Sequence, residues 1–111
     1  MTIVRRAVLG LEQALNRPRR HPVWHWLVRH RLSKVSDLLR EEPHQGGDAW
    51  LAPREDALLR ERDCLVARMT ALSARVAEGA DIELLRLDLK RLIADITRHC
   101  RRRNDLVYDG V

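Results

Sequence analysis

Four stretches of this chain repeat apolar residues every three or four positions, which is the spacing of one face of an α-helix. No stretch of useful length alternates apolar and polar residues as a half-buried strand would. The composition agrees, with many Leu, Ala, Arg and Glu and no Phe. The pattern predicts an all-α protein whose four helices cover approximately residues 3–16, 22–42, 53–79 and 82–109.

Residues that favour helix ends stand between these stretches. Pro22 suits the first position of the second helix, with His21 as the preceding cap. Pro43 cannot continue that helix and marks its end. Gly79 is suited to terminate the third helix, and Asp81 to cap the fourth. Four helices joined by short connections predict an up-down-up-down four-helix bundle, formed by residues 1–111 as a single domain.

Each predicted helix is apolar on one face, and these faces form the predicted core. The first helix is about half the length of the last, so we expect one end of the bundle to be less well covered. The predicted inward residues are Ile3, Val4, Ala7, Val8, Leu11, Ala14 and Leu15; Trp24, Leu27, Val28, Leu32, Val35, Leu38 and Leu39; Leu58, Leu65, Met69, Leu72 and Val76; and Ile82, Leu85, Leu89, Leu92, Ile93, Ile96, His99, Cys100, Arg103, Leu106 and Val107.

Positive charge is concentrated at the two ends of the sequence. The net charge is +5, but residues 1–34 carry eight basic groups and one acidic group, a net of +7. Residues 35–97 have a net charge of −4, and residues 98–111 a net charge of +2. A basic segment of this kind is compatible with an anionic partner, although a solvated basic face is the simpler interpretation.

Polar side chains interrupt the apolar stripe of the fourth helix. His99 and Arg103 occupy stripe positions one turn apart. If the third and fourth helices fold back around residue 80, His99 lies level with Glu61 and Arg62. Arg31 has the spacing of a core residue and comes level with about residue 64. These five residues are therefore predicted to meet in one layer of the bundle.

A buried layer with several cations requires compensation, because isolated charges are costly to remove from water. The arginines can extend their heads to solvent while their stems cover apolar surface. Alternatively, the layer binds a small polar or anionic ligand, or is a metal site or its remnant. The pair His21 and His25 makes a poor zinc site.

The last helix contains RHCRRRNDLVYDG, in which a histidine is followed about a turn and a half later by an aspartate. This motif, the number of helices and their order resemble hemerythrin-like domains. The resemblance implies iron bound by His99 and Asp105, or by Asn104 at the neighbouring spacing, and an oxygen-handling or metal-binding function. Any metal ligands would then be His99, Glu61 and Asp105. That family also has histidines and carboxylates on the first three helices, whereas the third helix here has no histidine. The resemblance therefore implies a degenerate member that has lost its iron.

The second helix carries an aromatic residue on its outer side. Trp26 points opposite to Trp24, with Val23 and His30 beside it. Tryptophan is enriched at interface hot spots, so Val23, Trp26 and His30 form a candidate interface. Two-fold self-association through this face predicts a homodimer, and another protein partner is also possible.

Other function classes receive less support. The basic groups predict at most weak nucleic-acid binding, since no helix-turn-helix or aromatic RNA-binding motif is present. Neither a spanning segment nor a secretory leader is expected. Cys64 and Cys100 lack metal-type spacing and favour a reducing cytoplasm. We therefore expect a non-enzymatic, cytoplasmic binding or interaction protein without a cofactor, with an iron protein and a nucleic-acid binder as alternatives.

Overall fold

Helices follow one another along the chain in antiparallel order. The computed structural model describes residues 2–17, 23–41, 52–79 and 81–109, with the side chains of 3–17, 23–41, 53–79 and 81–105. The helices in this part are α1 (Thr2–Leu15), α2 (Trp24–Arg40), α3 (Ala52–Ala77) and α4 (Ile82–Asp109). Each packs on its neighbour in sequence, and α1 also packs lightly on α4. The all-α, up-down-up-down four-helix bundle is thereby confirmed.

Helix ends follow local chemistry where the structure describes them. Asp81 Oδ1 accepts hydrogen bonds from the backbone N–H groups of Glu83 at 2.9 Å and Leu84 at 3.2 Å, so it caps α4. Gly79 has a φ of 73°, the left-handed conformation that often ends helices. Both predicted end signals are confirmed.

The start of α2 differs from the prediction. This helix begins at Trp24, two residues later than Pro22, and Val23 is its N-cap. The Val23 carbonyl accepts the first helical hydrogen bond, from Leu27 N at 2.8 Å. The predicted end residues His21, Pro22 and Pro43 lie outside the described residues.

The apolar faces meet in one buried cluster. Burying a large apolar side chain contributes about 1.5–3 kcal/mol, so these residues supply the main driving force for the bundle. Of the predicted set, Ala7, Leu27, Leu38, Leu58 and Ile82 are half-buried, and the side chains of Leu106 and Val107 lie outside the described part. The buried apolar residues are Val4, Val8, Leu11, Ala14, Leu15, Trp24, Val28, Leu32, Val35, Leu39, Leu65, Met69, Leu72, Val76, Leu85, Leu89, Leu92, Ile93, Ile96 and Cys100.

Among the predicted core residues whose side chains are described, Ile3 is exposed. Ile3 is 66% exposed, because it lies in the first turn of α1 at the rim of a groove between α1 and α2. The predicted difference in helix length is present, since α1 has 14 residues and α4 has 28.

Removal of the α4 cap should destabilise the bundle. Asp81→Ala deletes the acceptor for two backbone N–H groups, and we expect the free energy of unfolding to fall by about 1 kcal/mol in urea titrations followed by circular dichroism. Asp81→Asn keeps a capping oxygen and is the matched control. Equal stability of the alanine variant and the wild type would contradict this role.

Candidate functional site

The imidazole of His99 is enclosed in the bundle and is only 1% exposed. Its Nδ1 lies 3.0 Å from Oε1 of Glu61 on the facing helix α3. Because an ionised carboxylate can only accept, this contact requires the hydrogen on Nδ1, which His99 donates to Glu61. The carboxylate thus satisfies a polar group that would otherwise be costly at this depth.

The second oxygen of Glu61 binds a surface cation. Arg102 donates from Nη1 to Glu61 Oε2 at 2.6 Å, and the side chain of Arg102 is 56% exposed. We call His99, Glu61 and Arg102 the Glu61 network. It runs from the core to the surface and occupies both carboxylate oxygens, so it ties α3 to α4 at this level.

The Glu61–Arg102 pair belongs to a regular series of contacts between α3 and α4. Arg75 Nη1 lies 2.8 Å from Asp88 Oδ2, and Arg68 Nη1 lies 2.7 Å from Asp95 Oδ2. Successive pairs are seven residues apart on both helices, which is two turns of each. We call the three pairs the α3–α4 ladder: Arg75–Asp88, Arg68–Asp95 and Glu61–Arg102.

The remaining residues of the predicted layer have different surroundings. Arg103 is 8% exposed, one turn beyond His99 on α4. Arg62 contacts the carboxylate of its neighbour Asp63 at 3.3 Å. Arg31 is exposed and extends towards α1, where its Nη1 lies beside Gly10.

The structure therefore brings two of the five predicted residues, Glu61 and His99, into direct contact. The end of the Arg31 side chain lies against α1, beside Gly10. Sequence reasoning missed Arg102 as the cation that meets Glu61. The charges of the sequence contain a signal for this contact. In two antiparallel helices, the residue numbers of facing residues add up to a constant, and the oppositely charged residues 61 and 102 have the same total as the pairs 68–95 and 75–88.

The donor set around His99 does not fit the iron implied by the hemerythrin-like resemblance. Within the described residues, no group of three or more His, Cys, Asp or Glu side chains is placed to hold a metal. The Glu61 carboxylate is already held by a guanidinium, and a nearby cation opposes binding of a second one. Asp105 is exposed, and His25 packs edge-to-face on Trp24 at 5.1 Å between ring centroids. The other proposed zinc ligand, His21, lies outside the described part.

The candidate interface on α2 is exposed and contains a stacked aromatic pair. Trp26 is 62% exposed and Val23 is 41% exposed. The Trp26 and His30 rings are nearly parallel, with an angle of 4° between their planes and 4.9 Å between centroids. Stacking orders both rings on the surface, so less side-chain entropy remains to be lost when a partner binds.

Both cysteines are free thiols; Cys64 is exposed, while Cys100 is buried. Among the described helices, none combines the length and apolar character needed to cross a membrane. Comparison with family models, curated proteins and solved structures yielded no match.

Removal of the Glu61 carboxylate should destabilise the bundle more than removal of a surface carboxylate nearby. Glu61→Ala leaves the buried imidazole of His99 without this acceptor, and we expect a loss of about 1–3 kcal/mol in unfolding free energy by urea denaturation. Asp63→Ala is the matched control, because Asp63 is 72% exposed and its ion pair is a surface one. Equal losses in the two variants would show that the Glu61 network contributes no more than a surface pair.

Metal analysis tests the poor fit of this donor set. We expect elemental analysis of natively purified protein to give no stoichiometric iron, and its absorption spectrum to lack iron-dependent bands. Stoichiometric iron that is lost in His99→Ala would contradict the interpretation of the Glu61 network as a structural tie.

Proposed function

We propose that this protein is a non-enzymatic interaction module that works through the outer face of α2, with a second copy of the chain as its partner. The observation that carries the proposal is the exposed, stacked pair of Trp26 and His30. Large aromatic side chains contribute much of the binding energy at interfaces, and here the indole is already held in one orientation. The two free cysteines are compatible with a cytoplasmic setting.

Self-association is supported by the symmetry that this face allows. A two-fold axis perpendicular to α2 near residue 28 would set Trp26 of each copy opposite His30 of the other. Such an interface is isologous, so one pair of complementary groups is used twice. The exposed face of α2 extends over 17 residues, or about 25 Å, which is compatible with a small interface.

The charges on α2 oppose close approach of two copies. Arg29 and Lys34 are exposed on this helix, close to the aromatic pair. Like charges across an interface reduce its stability, and salt screens this repulsion. We therefore expect a weak dimer whose association constant increases with ionic strength.

Light scattering over a range of protein concentrations tests the dimer. We expect the mass of the wild type to rise with concentration, and Trp26→Ala to remain monomeric at concentrations where the wild type associates. Leu87→Ala is the matched control, because Leu87 is 55% exposed on α4, away from α2. A monomeric wild type at every concentration, or equal masses for the wild type and Trp26→Ala, would overturn the proposal.

A further inference from the structure

A second feature of the α1–α2 half is a cationic groove between these helices. The groove has a volume of about 300 Å³, within the lower range of small-molecule sites. Cationic side chains come from both helices, and the lining contains no carboxylate in the part of the chain described. Its lining residues are Ile3, Arg6, Ala7, Arg31 and Lys34.

The guanidinium of Arg31 rests where a side chain at residue 10 would lie. A Cβ built on Gly10 would be 2.8 Å from Arg31 Nη1 and 3.7 Å from both Cδ and Cζ of the same side chain. Glycine inside a helix costs about 1 kcal/mol relative to alanine. Gly10 therefore lowers the local stability of α1 and leaves space for the end of the Arg31 side chain.

The cations of this groove differ from those of α3 and α4 in their contacts with described carboxylates. In the ladder, each arginine is matched by a carboxylate. By contrast, within the described residues, Arg6, Arg31 and Lys34 make no ion pair with a carboxylate. The sequence itself has no Asp or Glu from residue 13 to residue 36. An anion entering the groove would relieve repulsion among three neighbouring cations.

From this arrangement we infer that the α1–α2 groove binds a phosphate-bearing anion. Planar guanidinium groups match pairs of phosphate oxygens through parallel N–H donors, and the ammonium of Lys34 adds a mobile point charge. Three cations fit a ligand with several negative charges, such as a polyphosphate group, better than a single carboxylate. Free polyphosphate and the headgroup of an anionic lipid share this chemistry.

Calorimetric titration of the full chain with sodium tripolyphosphate tests the inference. Arg31→Leu should weaken binding about tenfold or more, because it removes one of three converging charges. Arg29→Leu is the matched control, since it removes the same charge from the same helix at an exposed residue outside the groove lining. Equal weakening by the two variants would indicate general electrostatic attraction and overturn the site.

Gly10→Ala provides a second test that leaves the net charge unchanged. The added methyl displaces the flexible end of Arg31 rather than backbone, so the variant should fold with equal or higher stability in urea titrations. We expect its tripolyphosphate affinity to fall several-fold, because the guanidinium loses its resting place. An affinity equal to that of the wild type would overturn the role assigned to Gly10 and Arg31.

Co-sedimentation with vesicles distinguishes the two phosphate sources. Retention on phosphatidic acid vesicles but not on phosphatidylcholine vesicles, with displacement by tripolyphosphate, supports the lipid headgroup. Tripolyphosphate binding without vesicle retention supports the free anion, and binding of neither probe overturns the inference. Trp26→Ala should bind tripolyphosphate as the wild type does. The test of the groove is therefore independent of the test of the dimer, and either can fail without the other.

Discussion

The register between α3 and α4 is the constraint on which the described architecture depends. Three charged pairs at two-turn intervals fix which residues of these helices face one another. Only in this register does the Glu61 carboxylate reach both His99 inside the bundle and Arg102 at its surface. Exposed ion pairs contribute little stability individually, so we assign the series mainly to alignment and the apolar core to stability.

Charge divides the bundle into two halves with different properties. The α3–α4 half matches many of its cations with carboxylates across the helix pair. The α1–α2 half carries groove cations that have no carboxylate partner among the described residues, together with an exposed aromatic pair. The first half therefore uses its polar residues for its own assembly. The second presents groups that a partner or ligand can engage, and both proposals place binding there.

Much of the fold could be predicted from the sequence because helix periodicity and helix ends are local signals. The apolar spacing identified nearly all of the buried residues, and Asp81 and Gly79 marked the boundary between α3 and α4. The turn around residue 80 was enough to place Glu61 level with His99. Local spacing did not reveal that Ile3 lies at a groove rim, because this depends on how the first turn of α1 packs against α2.

The candidate site was harder to predict because a long side chain can adopt several rotamers that point in different directions. Arg31 has the spacing of a core residue, yet its guanidinium lies over Gly10 on α1. A mid-helix glycine facing an arginine is visible only once the two helices are placed together. The partner of Glu61 could have been found by searching α3 and α4 for oppositely charged residues whose numbers add up to the same total. Glu61 and Arg102 have the same total as the other two ladder pairs.

The reversal of sign along the ladder protects the hairpin against sliding. If α4 moved by two turns in one direction, Arg68 would face Arg102; in the other direction, Glu61 would face Asp95. Either displacement replaces an attraction with a repulsion, whereas leucine-rich faces alone would tolerate such a shift. If all three arginines were on α3, a two-turn shift of α4 would keep two of the three attractions and would bring no like charges together. The exchange of one charge between the helices thus excludes the nearest competing alignments.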